Sequence, residues 1–266
     1  MRYGNGMEEN STHAQKSPDA APGPSQAHGI YVIGAHPDWR NSKVNRRLFS
    51  QVQALVKAGP TSNPKTGPRI EVNDLYGSYP DYFIDIATEQ RRLAAAQLVV
   101  LMHPIQWYSM PALQKLWLYE VLTYGWAYGA GADEAEQPRG ARSIGARLDA
   151  AGAHGRALQG KDLWLVATTG GSEDAYHPQG YNRYFFEAFL PPYEQTAALC
   201  GMRFLPPLLL HGAHSRTVAE VDAHVEVFTQ RLQSYPNWPE MDEIETCPSC
   251  EVPLTARPAV PVAAPA

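Results

Sequence analysis

Five short apolar bursts, each followed by a longer helix-compatible segment, constrain this chain more than any other feature. "GIYVIGA" (29–35), "RIEVNDL" (69–75), "AQLVVLM" (96–102), "DLWLVATT" (162–169) and "RFLPPLLLHG" (203–212) read as strands. Runs this continuously apolar imply burial on both faces, the condition of a parallel sheet covered by helices on each side. The intervening segments are long enough to be crossover helices: "SKVNRRLFSQVQALVKAG", "ATEQRRLAAA", "PALQKLWLYEVLTYG" and "PPYEQTAALCG", with "TVAEVDAHVEVFTQRLQSY" closing the pattern. The expected fold is α/β: a flavodoxin-like, doubly wound, five-stranded parallel sheet of order 2-1-3-4-5 with helices on both faces.

The expected domain spans 28–236. Residues 1–27, rich in Ser, Pro, Asn, Gly and Ala, lack an apolar period and read as a disordered tail. Residues 237–266 read as a Pro- and Ala-rich tail, and 129–158, dominated by Gly, Ala and charge, as a flexible insertion or surface flap. Cys247 and Cys250 form a C-x-x-C in the second tail. Two thiolates without a second pair or nearby His fall short of a zinc site, so no metal is expected.

Composition removes several classes of function. A net charge of −5 with 18% charged residues leaves no basic footprint for nucleic acid. The longest purely apolar runs, such as 98–102, fall far short of the roughly 20 residues that a membrane-spanning helix needs. The polar start has no apolar centre for a secretory signal, and three cysteines make no disulfide framework. The expected location is cytoplasmic.

In an open parallel sheet, ligands bind beyond the carboxyl ends of the strands, where strand order reverses. Three strand exits carry suitable residues. After the first comes "AHPDWRNSKVN", where Asn41 or Ser42 would cap the following helix. Its free N–H groups would form an anion site to which Ser42 and Asn45 add donors; simple capping accounts for the same residues equally well. At the third exit His103-Pro104 would stop the strand and Pro111 would open the next helix. Ile105, Gln106, Trp107, Tyr108 and Ser109 lie between, an aromatic loop suited to covering a planar ring. Trp117, Leu118 and Trp126 read as core. The fourth exit, "ATTGGSEDAYHPQGYN", pairs two glycines that allow close backbone approach with two threonines that supply donors. The chain has no Walker loop, and no G-x-G-x-x-G stands at the first turn.

At "AHPDWRNSKVN", "HPIQWYSMPALQKLWLYEVLTYGWAYG", "ATTGG" and "LCGMRFLPPLLLHGAHS" the sequence resembles the flavodoxin-fold NAD(P)H:quinone oxidoreductases, and most closely the ancillary flavoproteins of glutathione-regulated potassium-efflux systems. The resemblance spans roughly 29–235. It implies a non-covalently bound flavin, FMN with FAD as the alternative, and NADPH or NADH as electron donor. By motif position His36, Ser42, Lys43, Val44 and Asn45 would surround its phosphate and ribityl end. Ile105, Gln106, Trp107 and Tyr108 would hold the ring, and Thr168, Thr169, Gly170 and Gly171 would close over its pyrimidine side. The family's proton-transfer pair, a Tyr and a His, maps onto Tyr176 and Asn182. His177 beside Tyr176 is the alternative donor, and fits a surface loop residue equally well. His211, at the last exit, could line the pocket, but reads first as a satisfied structural histidine. The implied function is hydride transfer from NAD(P)H to the flavin, then two-electron reduction of a quinone or similar acceptor by a homodimer. The alternative is a regulatory subunit at the inner face of the membrane that activates a potassium-efflux antiporter, its redox activity secondary. A one-electron carrier of flavodoxin type fits the aromatic loop and Tyr176 less well.

Overall fold

The computed structural model describes residues 29–59, 68–129, 157–239 and 241. The first tail, the second tail apart from 237–239 and 241, nearly all of the 129–158 segment and the Cys247/Cys250 pair lie outside the described residues. The elements run β1 (Gly29–Gly34), α1 (Val44–Ala58), β2 (Arg69–Asp74), α2 (Leu75–Ser78), α3 (Ile86–Ala95), β3 (Leu98–Pro104), α4 (Ala112–Val121), β4 (Asp162–Thr168), α5 (Pro191–Leu199), β5 (Arg203–Leu210) and α6 (Val218–Ser234). All five strands pair in parallel, in the order β2-β1-β3-β4-β5. The expected fold class is therefore the observed one.

Strand alternation sorts the apolar residues into two cores. Tyr31, Ile33, Val99, Leu101, Leu163 and Leu165 face α3, α4 and α5, where Leu93, Trp117 and Tyr193 are buried. Ile30, Val32, Leu98, Val100, Trp164 and Val166 face α1 and α6, against Leu48, Val52, Val221 and Phe228. On α1 the buried residues Val44, Leu48 and Val52 recur every four positions and form its sheet-facing stripe. Gly34 lets α1 approach closely: a Cβ there would come within 2.7 Å of the Phe49 ring. Pro206 and Pro207, which lack amide hydrogens, fit β5 because it is an edge strand.

Three local expectations are corrected. β3 does not stop at His103-Pro104 but includes both, because Pro104 still sits in register with Thr168. Pro111 is the residue before α4, with extended ψ, and the helix begins at Ala112. The packed body also continues past 236: Trp238 is buried, with its ring 4.9 Å from that of Trp164.

One buried charge joins the layers on the α3–α4 face. Glu89 of α3 has no exposed surface. Its carboxylate accepts hydrogen bonds from Tyr31 Oη (2.6 Å), Tyr79 Oη (2.7 Å), Trp117 Nε1 (2.9 Å), Asn73 Nδ2 (3.1 Å) and Arg92 Nη1 (2.7 Å). These donors come from β1, β2, α3, α4 and the turn after α2, so one side chain fixes how they meet. Burial and the adjacent carboxylate hold the Tyr31 phenol far above its usual pKa, in its donating form. A buried charge is stable only when so compensated, and removing it strips the Tyr31 and Tyr79 hydroxyls, Trp117 Nε1 and Arg92 Nη1 of this acceptor, while Asn73 Nδ2 keeps Tyr31 Oη and Arg92 keeps Glu71. Glu89→Ala is expected to cost about 3–5 kcal/mol in urea-unfolding stability. A loss below about 1 kcal/mol would show that the hub does not hold the layers.

Two buried histidines make stability pH-dependent. Burial lowers the pKa of His103 and His224 from 6.5 to about 4. The unfolded chain therefore takes up protons that the fold refuses. Their contribution is complete above pH 6.5 and is lost as pH falls from there through about 4. The urea midpoint is expected to drop over that range. His224→Leu, which removes a ring whose Nε2 has no partner, should flatten the drop.

Candidate functional site

The exits of β1, β3 and β4 extend the sheet's ladder by one residue each. Ala35 N–H donates to Met102 O (2.9 Å), Ile105 N–H to Thr168 O (2.8 Å) and Thr169 N–H to Leu210 O (3.1 Å). The loops that follow are thereby held side by side on one rim.

At the β1 exit, Asp38 caps a short 3-10 turn, Trp39–Asn41, accepting from the N–H groups of Arg40 and Asn41. Trp39 Nε1 donates to Asp74 Oδ1 (2.9 Å) and so ties this loop to the end of β2. The expected cap at Asn41 or Ser42 is corrected: Asn41 lies within the 3-10 turn, Ser42 ends it, and α1 begins after Lys43 with no side-chain cap. By contrast, Asp85 caps α3, Thr217 caps α6, and the Tyr76 hydroxyl accepts from Leu113 N–H in the first turn of α4. Asn45, in the first turn of α1, is buried; its Nδ2 donates to Thr168 Oγ1 (2.8 Å), and its Oδ1 has no partner. Val44 is buried in the core, so only its backbone can face this rim. Ser42 is buried, its N–H bonded to Trp39 O, and Lys43 is exposed, its Nζ 3.5 Å from His214 O. His36 is half-buried; its Nδ1 accepts from Asp38 N–H (3.0 Å), and burial lowers its pKa.

At the β3 exit, Gln106 and Ser109 bond to each other through both N–H groups (2.9 and 3.1 Å), closing a two-residue turn. Its central residues, Trp107 and Tyr108, both have positive φ (48° and 64°). That conformation normally selects Asn or Gly, so two aromatic residues here store strain. Trp107 is 94% exposed. Tyr108 stacks on Phe189 with ring centroids 5.4 Å apart, and its hydroxyl lies 3.4 Å from Asn182 Oδ1.

At the β4 exit, Thr168 and Thr169 are buried. Neither Gly170 nor Gly171 has a positive φ, and a Cβ added at Gly170 would meet no atom of the chain closer than 3.8 Å. The fold itself does not require glycine there, and an added side chain would first meet the His214 ring. Tyr176 follows, buried, its ring 5.8 Å from Phe189 and 5.3 Å from His211. Burial raises its phenol pKa.

The structure thus gathers Asn45, Thr168, Thr169, Gly170, Gly171, Tyr108, Asn182 and Tyr176 along one rim. It does not turn His177 inward: that ring is exposed, packs edge-on against Phe185 (4.9 Å) and accepts from Gln179 N–H. Sequence reasoning passed over Phe189, within the aromatic run "RYFFEAF", and set aside His211. The signal for the latter was its place directly after β5, alongside the glycine pair.

The family model described as the flavodoxin-like fold matches residues 29–234, and the chain belongs to that family. The glutathione-regulated potassium-efflux system ancillary protein KefG of Yersinia enterocolitica is 37% identical over 210 residues, 79% of this chain and 95% of the relative. Among solved structures, the general stress protein 14 of Treponema denticola, in complex with FMN, is 27% identical with a TM-score of 0.60, covering 78% of this chain and 98% of that one. An NADPH-quinone reductase from P. pentosaceus shares the fold at 21% identity and a TM-score of 0.56, covering 76% and 96%.

The buried tie between Asn45 and Thr168 is expected to hold α1 against β4. Asn45→Leu removes one unpaired oxygen but strands the Thr168 hydroxyl, and should lower stability by about 1–2 kcal/mol in urea unfolding. No loss would show that the tie is dispensable.

Proposed function

We propose that this chain binds FMN on the strand-exit rim and acts as an NAD(P)H-dependent oxidoreductase that reduces a quinone-like acceptor. One observation carries the reading: this rim holds binding capacity that the fold does not use. Asn45 keeps a buried oxygen without a partner, α1 starts without a side-chain cap, and Gly170 leaves room that the fold does not use. An anionic phosphate suits the first, uncapped turn of α1, where Ser42, Lys43 and the N–H groups of Val44 and Asn45 would hold it beside His36. The amides and aromatic rings of Ile105, Gln106, Trp107 and Tyr108, with Thr168 to Gly171, would orient a flat ring and exclude water from it. The FMN-bound neighbour of 27% identity supports FMN over FAD.

When bound, a flavin supplies the two-electron chemistry, and the protein contributes orientation and electrostatics. Tyr176, kept protonated by burial, is the rim's phenolic donor. Asn182, within reach of the Tyr108 hydroxyl, positions that ring, and His177 stays a surface residue. Trp107, almost fully exposed at the mouth of the site, supports the homodimer reading, in which a second copy covers it.

A second reading rests on the KefG relative: the chain docks on a potassium-efflux antiporter at the cytoplasmic face of the membrane and regulates it. No helix among the described residues is long and apolar enough to cross a membrane itself.

The purified protein is expected to show flavin absorbance, or to acquire it with added FMN, and to bleach on anaerobic addition of NADPH and recover with quinone. Gly170→Val should leave unfolding stability unchanged and weaken FMN binding by about tenfold or more, one strained contact of roughly 1.4 kcal/mol. A protein that takes up no flavin contradicts both readings as redox proteins. Antiporter activation without NADPH-quinone turnover favours the second.

A further inference from the structure

His211 shares the rim with Tyr176 and belongs to neither the FMN-binding nor the proton-transfer set considered so far. It stands immediately after β5, where Gly212 N–H donates to Gly171 O (2.7 Å) and Ala213 N–H to Thr169 O (2.9 Å), so its backbone is fixed against the glycine pair. Its ring lies 5.3 Å from Tyr176 and packs edge-on against Phe186 at 5.1 Å.

Hydrogen-bond accounting assigns its tautomer. Thr169 Oγ1 is 2.7 Å from Gly171 O and 3.1 Å from His211 Nδ1. Gly171 O can only accept and, at 2.7 Å against 3.1 Å, is the nearer partner, so the single hydroxyl hydrogen is assigned to it. The hydroxyl must then accept from the ring, which places the imidazole hydrogen on Nδ1. Nε2 is left as a lone pair with no hydrogen-bond partner among the described residues.

We propose that His211 Nε2 is the proton donor for the acceptor in this site, with Tyr176 beside it, in the role that Asn182 cannot fill. The inference rests on the redox reading above. A quinone that takes up a hydride equivalent derived from NAD(P)H needs one further proton to become a neutral hydroquinone. His211, protonated from solvent at Nε2, gives up that proton: the N–H bond breaks as the O–H bond forms on the acceptor oxygen, and the imidazole returns to neutral. Thr169 holds the ring through Nδ1 in both protonation states, so only Nε2 changes. Burial and the Arg216 guanidinium disfavour the imidazolium, while Glu173 and Glu187 favour it; burial dominates and lowers its pKa. Arg216 itself is held by the His211 carbonyl (2.8 Å) and by Glu220 (2.8 Å).

Two measurements test this. Nitrogen-15 NMR of the flavin-free protein is expected to show neutral His211 as the Nδ1–H tautomer, and Thr169→Val should release it toward the Nε2–H form that free imidazole favours. In the FMN-loaded protein, quinone reduction should rise as pH falls through the His211 pKa. His211→Gln should keep full flavin content, lose about 10²-fold in kcat at the acid end and lose that pH dependence. An Nε2–H tautomer in the unaltered protein overturns the inference, as does a His211→Gln variant with an unchanged rate and profile, or a His177→Gln variant that alone abolishes the pH dependence. A wild-type protein that binds FMN without quinone turnover overturns the functional reading, and the inference with it.

Discussion

Parallel pairing is the interaction on which the rest of this structure depends. Because the five strands all run one way, their exits emerge on a single rim, and the hydrogen bonds from Ala35, Ile105 and Thr169 to neighbouring strands carry that order one residue beyond the sheet. The chain segments that hold the candidate site are far apart in sequence and meet only because of that ladder. A slip of one residue in any pair would also exchange the two apolar cores, since alternate residues of β1, β3 and β4 face opposite helix layers. Burial on both faces therefore fixes the register, and the register fixes the site.

The two ends of the sheet differ in how their polar groups are used. At the end where strands enter, Asp162 takes a bidentate contact from Arg203 and a hydrogen bond from the Tyr235 hydroxyl, and Lys161 donates to the carbonyls of Ala94 and Ala96. Deep in one layer, Glu89 has a donor for each of its lone-pair directions. These groups are spent on folding. At the exit end Asn45 retains an unused oxygen, α1 lacks a side-chain cap and two aromatic residues hold left-handed backbone. The entry end is thus given to stability, while the exit rim carries backbone strain and an unused acceptor, the usual division between scaffold and site.

Much of this was legible in the sequence because burial writes itself as apolar runs. The five strand assignments hold to within a few residues at each end, and the crossover helices likewise, since a buried strand cannot tolerate interruption. What was illegible follows from contacts that no local pattern records. The cap of the loop before α1 depends on Asp38 turning back on Arg40 and Asn41, which leaves Asn41 inside a turn instead of at a helix start. The Trp107-Tyr108 turn carries neither Asn nor Gly, so the usual signal for positive φ is missing. His211 reads as a solitary histidine in sequence, and acquires its meaning only from Thr169 and Tyr176, 42 and 35 positions earlier.

The central claim is spatial: the flavin sits on the strand-exit rim. Backbone hydrogen exchange with and without FMN tests it most directly. The account predicts that FMN slows exchange in the segments 35–45, 105–110 and 168–171, with little change at the opposite end around Gly29, Asp162 and Arg203. Protection centred on that opposite end, or an FMN complex with no protection at the three exits, would contradict it.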